Sequence, residues 1–344
     1  MRNYFPRLYG NEGTKNRIAA AIESGKLPHA LLIDGDEGSG RMTLALEIAA
    51  ALNCENRGDS SVPLPCGKCN CCRRIYSGGF ADVSVLEREK GKASLGVDEV
   101  RLFRNDMFLS ATESDYKVYI IKDTERMTMQ AQNALLIVLE EPPPNVIIIL
   151  LSAGTDKILT TIKSRVQYIA MSRFTPTEIG EYLCKNLPKI GMLAGSDGER
   201  FKSILLGADG MIGRAIQLAS PDESQALEER RELILSFVRA LSPRIPYSEM
   251  FRQVNSLPKE RSSLVQMLEG ITVALRDLIA IKRGVKAEPL FFTSRELAST
   301  IAKDLTIIRL VRIYDIILAT IKECEKNANN SLLITNLGMK IKMA

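Results

Sequence analysis

Wholly apolar runs and stretches of helical apolar period alternate through the first half of the chain, and the second half keeps the helical period alone. Residues 30–33, 117–121, 146–152 and 166–171 read as strands, the third apolar enough to be buried on both faces of a parallel sheet. Between them, Ile18-Ala-Ala-Ala-Ile-Glu-Ser-Gly25, residues 44–52, residues 97–110 and Gln132-Asn-Ala-Leu-Leu-Ile-Val-Leu-Glu-Glu141 read as helices. Gly25 and Pro142 end the first and last of these. The alternation predicts a doubly wound α/β domain over residues 1–172.

Beyond it, residues 173–220 read as a small helical lid, and Ser220-Pro221-Asp222 marks a boundary. In residues 221–344, Leu264, Leu268, Ile271, Leu275 and Leu278 follow a 4-3-4-3 spacing. Ile307, Val311, Tyr314, Leu318 and Ile321 follow a 4-3-4-3 spacing as well. Such stripes are the packing faces of a helical domain.

The 344 residues are 45% hydrophobic and 25% charged, ordinary for a globular protein, and no apolar run is long enough to span a bilayer. With no signal-peptide core near Met1, a cytoplasmic protein without membrane contact is expected. A net charge of +5 permits nucleic-acid contact without demanding it. His29 is the single histidine, which argues against a histidine base and for a structural role.

Chemistry concentrates first after residue 33, where strand, glycine loop and helix follow one another in the frame of a phosphate-binding loop. Gly35, Gly38 and Gly40 supply the glycines, but Arg41 replaces the lysine and Met42 the magnesium-binding hydroxyl. A thioether is no ligand for Mg²⁺. Arg41 keeps the charge in a bulkier planar fork, and Thr43 comes one residue, or about 100°, too late on the helix. A second acidic site is also lost, because the strand at 117–121 runs into Lys122 and leaves Asp123 alone. ATP hydrolysis is therefore not expected, and ATP binding is left open.

Five of the seven cysteines fall between residues 54 and 72. Cys66, Cys69 and Cys72 form C-x-x-C-x-x-C, and Cys54 supplies a fourth thiolate for a tetrahedral structural Zn²⁺ site; a metal-free loop and a redox pair are the alternatives. Cys71 is the odd residue.

The chain resembles the clamp-loader subunits of bacterial DNA polymerase III, a branch of the AAA+ family. The resemblance is carried by Leu27-Pro-His-Ala30, the degenerate phosphate loop, the four cysteines, Asn133-Ala-Leu-Leu136, Leu139-Glu-Glu-Pro-Pro143 and Ser164-Arg165. Ser152 stands at the family's sensor-1 place, Val166 replaces a cysteine of its Ser-Arg-Cys motif, and residues 327–336 resemble its asparagine-rich closing segment. Within the family, the damaged nucleotide motifs beside a retained Ser-Arg, and Arg214 in Gly210-Met-Ile-Gly-Arg214, are more similar to the delta-prime type than to the gamma/tau motor type. The resemblance implies a parallel-sheet AAA+ domain, a lid and an all-α collar that oligomerises. It also implies the partners gamma/tau and delta, with the sliding clamp and primer-template DNA as further candidates. Arg165 would be an arginine finger supplied in trans to a neighbouring subunit. A gamma/tau-type ATPase motor and a zinc-dependent nucleic-acid-binding module are the competing readings.

Overall fold

The computed structural model describes residues 2–343 apart from 90, 91, 93, 287, 288 and 326–328, so the asparagine-rich segment at 327–336 falls partly outside the described residues. By its internal packing the chain divides into two units, residues 1–175 with 210–213, and residues 176–209 with 214–344.

The first unit runs α1 (Glu12–Glu23), β1 (Ala30–Asp34), α2 (Arg41–Leu52), α3 (Asn70–Ser77), β2 (Val83–Leu86), α4 (Val97–Met107), β3 (Lys117–Ile121), α5 (Met129–Glu140), β4 (Val146–Ser152), α6 (Thr160–Lys163) and β5 (Gln167–Ala170). Among the described residues these strands form one parallel sheet in the order β2-β3-β4-β1-β5. Its two faces follow from the period of two along each strand. Leu31, Ile33, Val118, Ile120, Ile147 and Ile149 pack with α1 and α2, whereas Leu32, Tyr119, Ile121, Ile148 and Leu150 pack with α4 and α5. Every residue of β4 is buried, as its unbroken apolar run requires. Edge strand β2 is half-buried and had no clear signature in the sequence.

β1 lies between β4 and β5, and the loop leaving its C-terminal end opens into α2, the position where open α/β sheets place ligands. His29 is structural in its contact: its Nε2 lies 3.1 Å from the carbonyl oxygen of Leu139.

The second unit is helical: α7 (Pro176–Asn186), α8 (Pro188–Gly191), α9 (Leu193–Ser196), α10 (Gly198–Gly207), α11 (Ile212–Leu218, begun in the first unit), α12 (Pro221–Ala240), α13 (Tyr247–Asn255), α14 (Arg261–Lys282), α15 (Arg295–Ala302), α16 (Ile307–Glu325) and α17 (Asn330–Met343). On α14 the predicted stripe of Leu264, Leu268, Ile271, Leu275 and Leu278 is fully buried. On α16 the buried row is instead Leu310, Ile313, Ile317 and Cys324, and the predicted row of Ile307, Val311, Tyr314, Leu318 and Ile321 is half-buried. Apolar residues stand next to one another along α16, so two overlapping rows about 100° apart satisfy the period, and only tertiary packing selects one.

Candidate functional site

In the phosphate loop, Gly38 and Gly40 have φ of 84° and 94°, which a side chain would resist. A Cβ on Gly35 would meet Ser39 Oγ at 2.8 Å and Met171 Cβ at 2.9 Å, so the loop is wound tightly on itself and on the residue that follows β5. The segment 210–213 closes over it: Gly213 N donates to the Gly38 carbonyl at 3.0 Å, and a Cβ on Gly213 would lie 2.7 Å from Gly38 Cα.

Ser39 Oγ and Arg41 Nη1 are buried and have no hydrogen-bond partner among the described residues. Two orphaned donors beside the N-terminus of α2 fit the oxygens of an anion. The remaining groups do not fit Mg²⁺. Met42 stands at the hydroxyl position, and Lys122 Nζ is held 2.6 Å from Glu87 Oε2. Asp36 is paired with Arg173 at 2.5 Å, and Asp34 accepts from Gly154 N and Tyr168 Oη at 2.9 and 2.7 Å. Thr43 is half-buried on the first turn of α2.

The sensor-like Ser152 is occupied internally. Its hydroxyl meets Glu125 Oε2 at 3.0 Å and the Gly154 carbonyl at 2.5 Å, while Ala153 N donates to the same carboxylate oxygen at 3.2 Å. Asp123 adopts φ 51° ahead of a 3-10 turn, and its side chain makes no capping bond.

The four cysteines come together between α2 and α3, their Sγ atoms all within 4.8 Å of one another. Tetrahedral zinc with bonds of ~2.3 Å needs sulfurs about 3.8 Å apart, and Cys66 and Cys72 are at 4.0 Å. Backbone N–H groups of Cys66, Cys69 and Cys72 point at the sulfurs of Cys54, Cys66 and Cys69 at 3.4–3.5 Å, as a chelating C-x-x-C turn requires. Burial pushes the Cys54 and Cys72 thiols up. At Cys66 burial is also the largest influence, but the backbone donors of Lys68 and Cys69 outweigh it and bring the thiol down to about 6. The set can hold a metal ion and is compatible with zinc. Cys71 lies outside it, its Sγ 3.5 Å from Glu55 Oε1, with burial and that carboxylate raising its thiol to about 11.

The module is fastened to the phosphate-loop helix. Tyr76 of α3 donates to the carboxylate of Glu47 on α2, which also accepts from Arg7 N at 3.3 Å, and the Arg7 guanidinium lies 4.1 Å from the centre of the Tyr76 ring.

Arg165 follows the last turn of α6, where Nη1 donates to the Thr161 carbonyl at 3.0 Å and Nη2 meets Glu140 Oε1 at 2.7 Å. Sequence reasoning missed Glu87, Glu125 and Glu140. Only Glu140 had a local signal, a carboxylate in the last turn of a helix, where the dipole disfavours it.

The family model for the delta subunit of DNA polymerase III matches residues 10–175. The gamma subunit of DNA polymerase III from Buchnera aphidicola (subsp. Schizaphis graminum) is 32% identical over 217 residues, 62% of this chain and 57% of that one. The delta-prime subunit from Bacillus subtilis is 26% identical over 266 residues, 77% of this chain and 75% of that one. Among solved structures, a gamma subunit-related protein of DNA polymerase III from Thermotoga maritima is similar with a TM-score of 0.45 at 20% identity, over 95% of this chain and 98% of that one. The chain thus spans little more than half of the gamma relative and three quarters of the delta-prime relative. The family match over residues 10–175 and these relatives, together with the parallel sheet and the loop between β1 and α2, support a clamp-loader AAA+ subunit of DNA polymerase III, of the kind that includes gamma, tau and delta-prime.

Proposed function

We propose that this chain is a delta-prime-like stator: a clamp-loader subunit that does not hydrolyse ATP itself and completes a neighbour's site through Arg165. One observation carries the reading. The two places where a motor subunit holds Mg²⁺ present Met42 and the Lys122–Glu87 ion pair, so neither of these positions offers the metal a free hard oxygen. Its partners are then gamma/tau and delta subunits, with the sliding clamp and primer-template DNA as the substrates of the assembled loader in the cytoplasm. The division into an AAA+ domain (1–172), a lid (173–220) and an oligomerising collar (221–344) belongs to the same reading. Zn²⁺ on Cys54, Cys66, Cys69 and Cys72 leaves no open coordination position, so its role is to close the loop rather than to activate water.

The 32% identity to a gamma subunit favours a second reading, an ATPase motor. Copurification with gamma/tau and delta, followed by steady-state ATPase of this chain alone, separates the two. The stator assembles and shows no turnover. Turnover on the order of 1 s⁻¹ without partners selects the motor.

A further inference from the structure

The last turn of α5 ends in Glu140 and Glu141, followed by prolines, and carries no basic residue. Two adjacent carboxylates at the negative end of a helix violate the local electrostatic rule, and such violations belong to functional positions. Glu140 meets Arg165 at 2.7 Å, and the same guanidinium also donates to the Thr161 carbonyl at 3.0 Å and Ser164 Oγ at 3.2 Å, both neutral acceptors.

We propose that Glu140 is a latch on Arg165, holding the guanidinium in a charge-neutral resting pair that a neighbouring subunit's nucleotide phosphate must displace. The inference rests on the reading of Arg165 as a residue acting in trans. The carboxylate and a phosphoryl group present the same pair of oxygens to the guanidinium fork, so they compete for it directly. The side chains are 36% and 51% exposed. A pair this exposed is weak enough to exchange, whereas a deeply buried one would not release its charge. In this arrangement Glu140 acts through Arg165 and touches no substrate.

The test uses the reconstituted loader with wild-type motor subunits and measures ATPase with and without clamp and primed DNA. Glu140→Gln keeps the size of the side chain and removes its charge. It is expected to raise the rate without clamp and DNA by about two- to five-fold, the range an exposed ion pair can supply, with the stimulated rate little changed. Glu141→Gln, the adjacent carboxylate, serves as the control and leaves both rates as they are. In an Arg165→Ala background, Glu140→Gln is expected to add nothing, which a merely structural glutamate would not satisfy. If Arg165→Ala abolishes stimulation but Glu140→Gln leaves the unstimulated rate unchanged or lowers it, the latch is wrong and the finger stands. If Arg165→Ala leaves stimulation within two-fold, both readings fall.

Discussion

Tyr76 on α3 donates its hydroxyl to the carboxylate of Glu47 on α2, joining the cysteine module to the helix that begins at the phosphate loop. Glu47 is fully buried. Tyr76→Phe removes a donor to it and is expected to destabilise the chain by about 1–3 kcal/mol, read by denaturant unfolding.

The same pair gives a pH dependence. Burial, opposed by the hydrogen bonds of Tyr76 and Arg7, holds the Glu47 carboxyl above its ordinary value of 4.5. An acid raised in the folded state binds more protons there than in the unfolded state, so its contribution is fully present below pH 4.5 and fades as pH rises through the folded value. Measured against Glu47→Gln across that range, the wild type should lose relative stability with rising pH and then level off. A difference that grows in the opposite direction would contradict the assignment.

Metal content tests the cysteine set. Cys54→Ser, Cys66→Ser, Cys69→Ser and Cys72→Ser are each expected to drop from about one zinc per chain to well below one, and Cys71→Ser to keep it. A chelator should lower the melting temperature of the wild type and leave that of the four depleted variants unchanged.

Gly213→Ala is expected to cost about 1–3 kcal/mol, because its Cβ would lie 2.7 Å from Gly38 Cα, where backbone rather than a flexible side chain must yield. Gly195→Ala, with open space around it, is the matched control.

Arg165→Ala in an otherwise wild-type loader is expected to lower clamp- and DNA-stimulated ATPase by about 10³–10⁵ at the one site it serves, with assembly intact. Arg165→Lys keeps the charge but loses the fork, and should recover only part of the rate.

The sheet was legible where sequence and burial share one cause. The run at 146–152 can only be a strand with two covered faces, and the Cys66, Cys69 and Cys72 turn is a local geometry that spacing alone dictates. Edge strand β2 was not legible, because Val83-Ser-Val-Leu86 is short and half-buried. The α16 face was ambiguous between two rows that both meet the helical period. The missed carboxylates share a different reason. Glu87 reaches Lys122 across 35 positions and Glu125 reaches Ser152 across 27, so their roles exist only after the chain has folded.

One consequence concerns the residues ahead of α1. Arg2 donates to the carbonyls of Val62, Arg57 and Asn56, Asn3 and Phe5 bracket Leu64 through backbone bonds, and Leu8 lies against Gly40. This seam stitches the cysteine hairpin to the phosphate loop, so the three segments form one cooperative foldon rather than separate parts. Their amides should therefore exchange with solvent together, and treating the protein with a chelator should speed exchange at Leu44 as well as at Cys69.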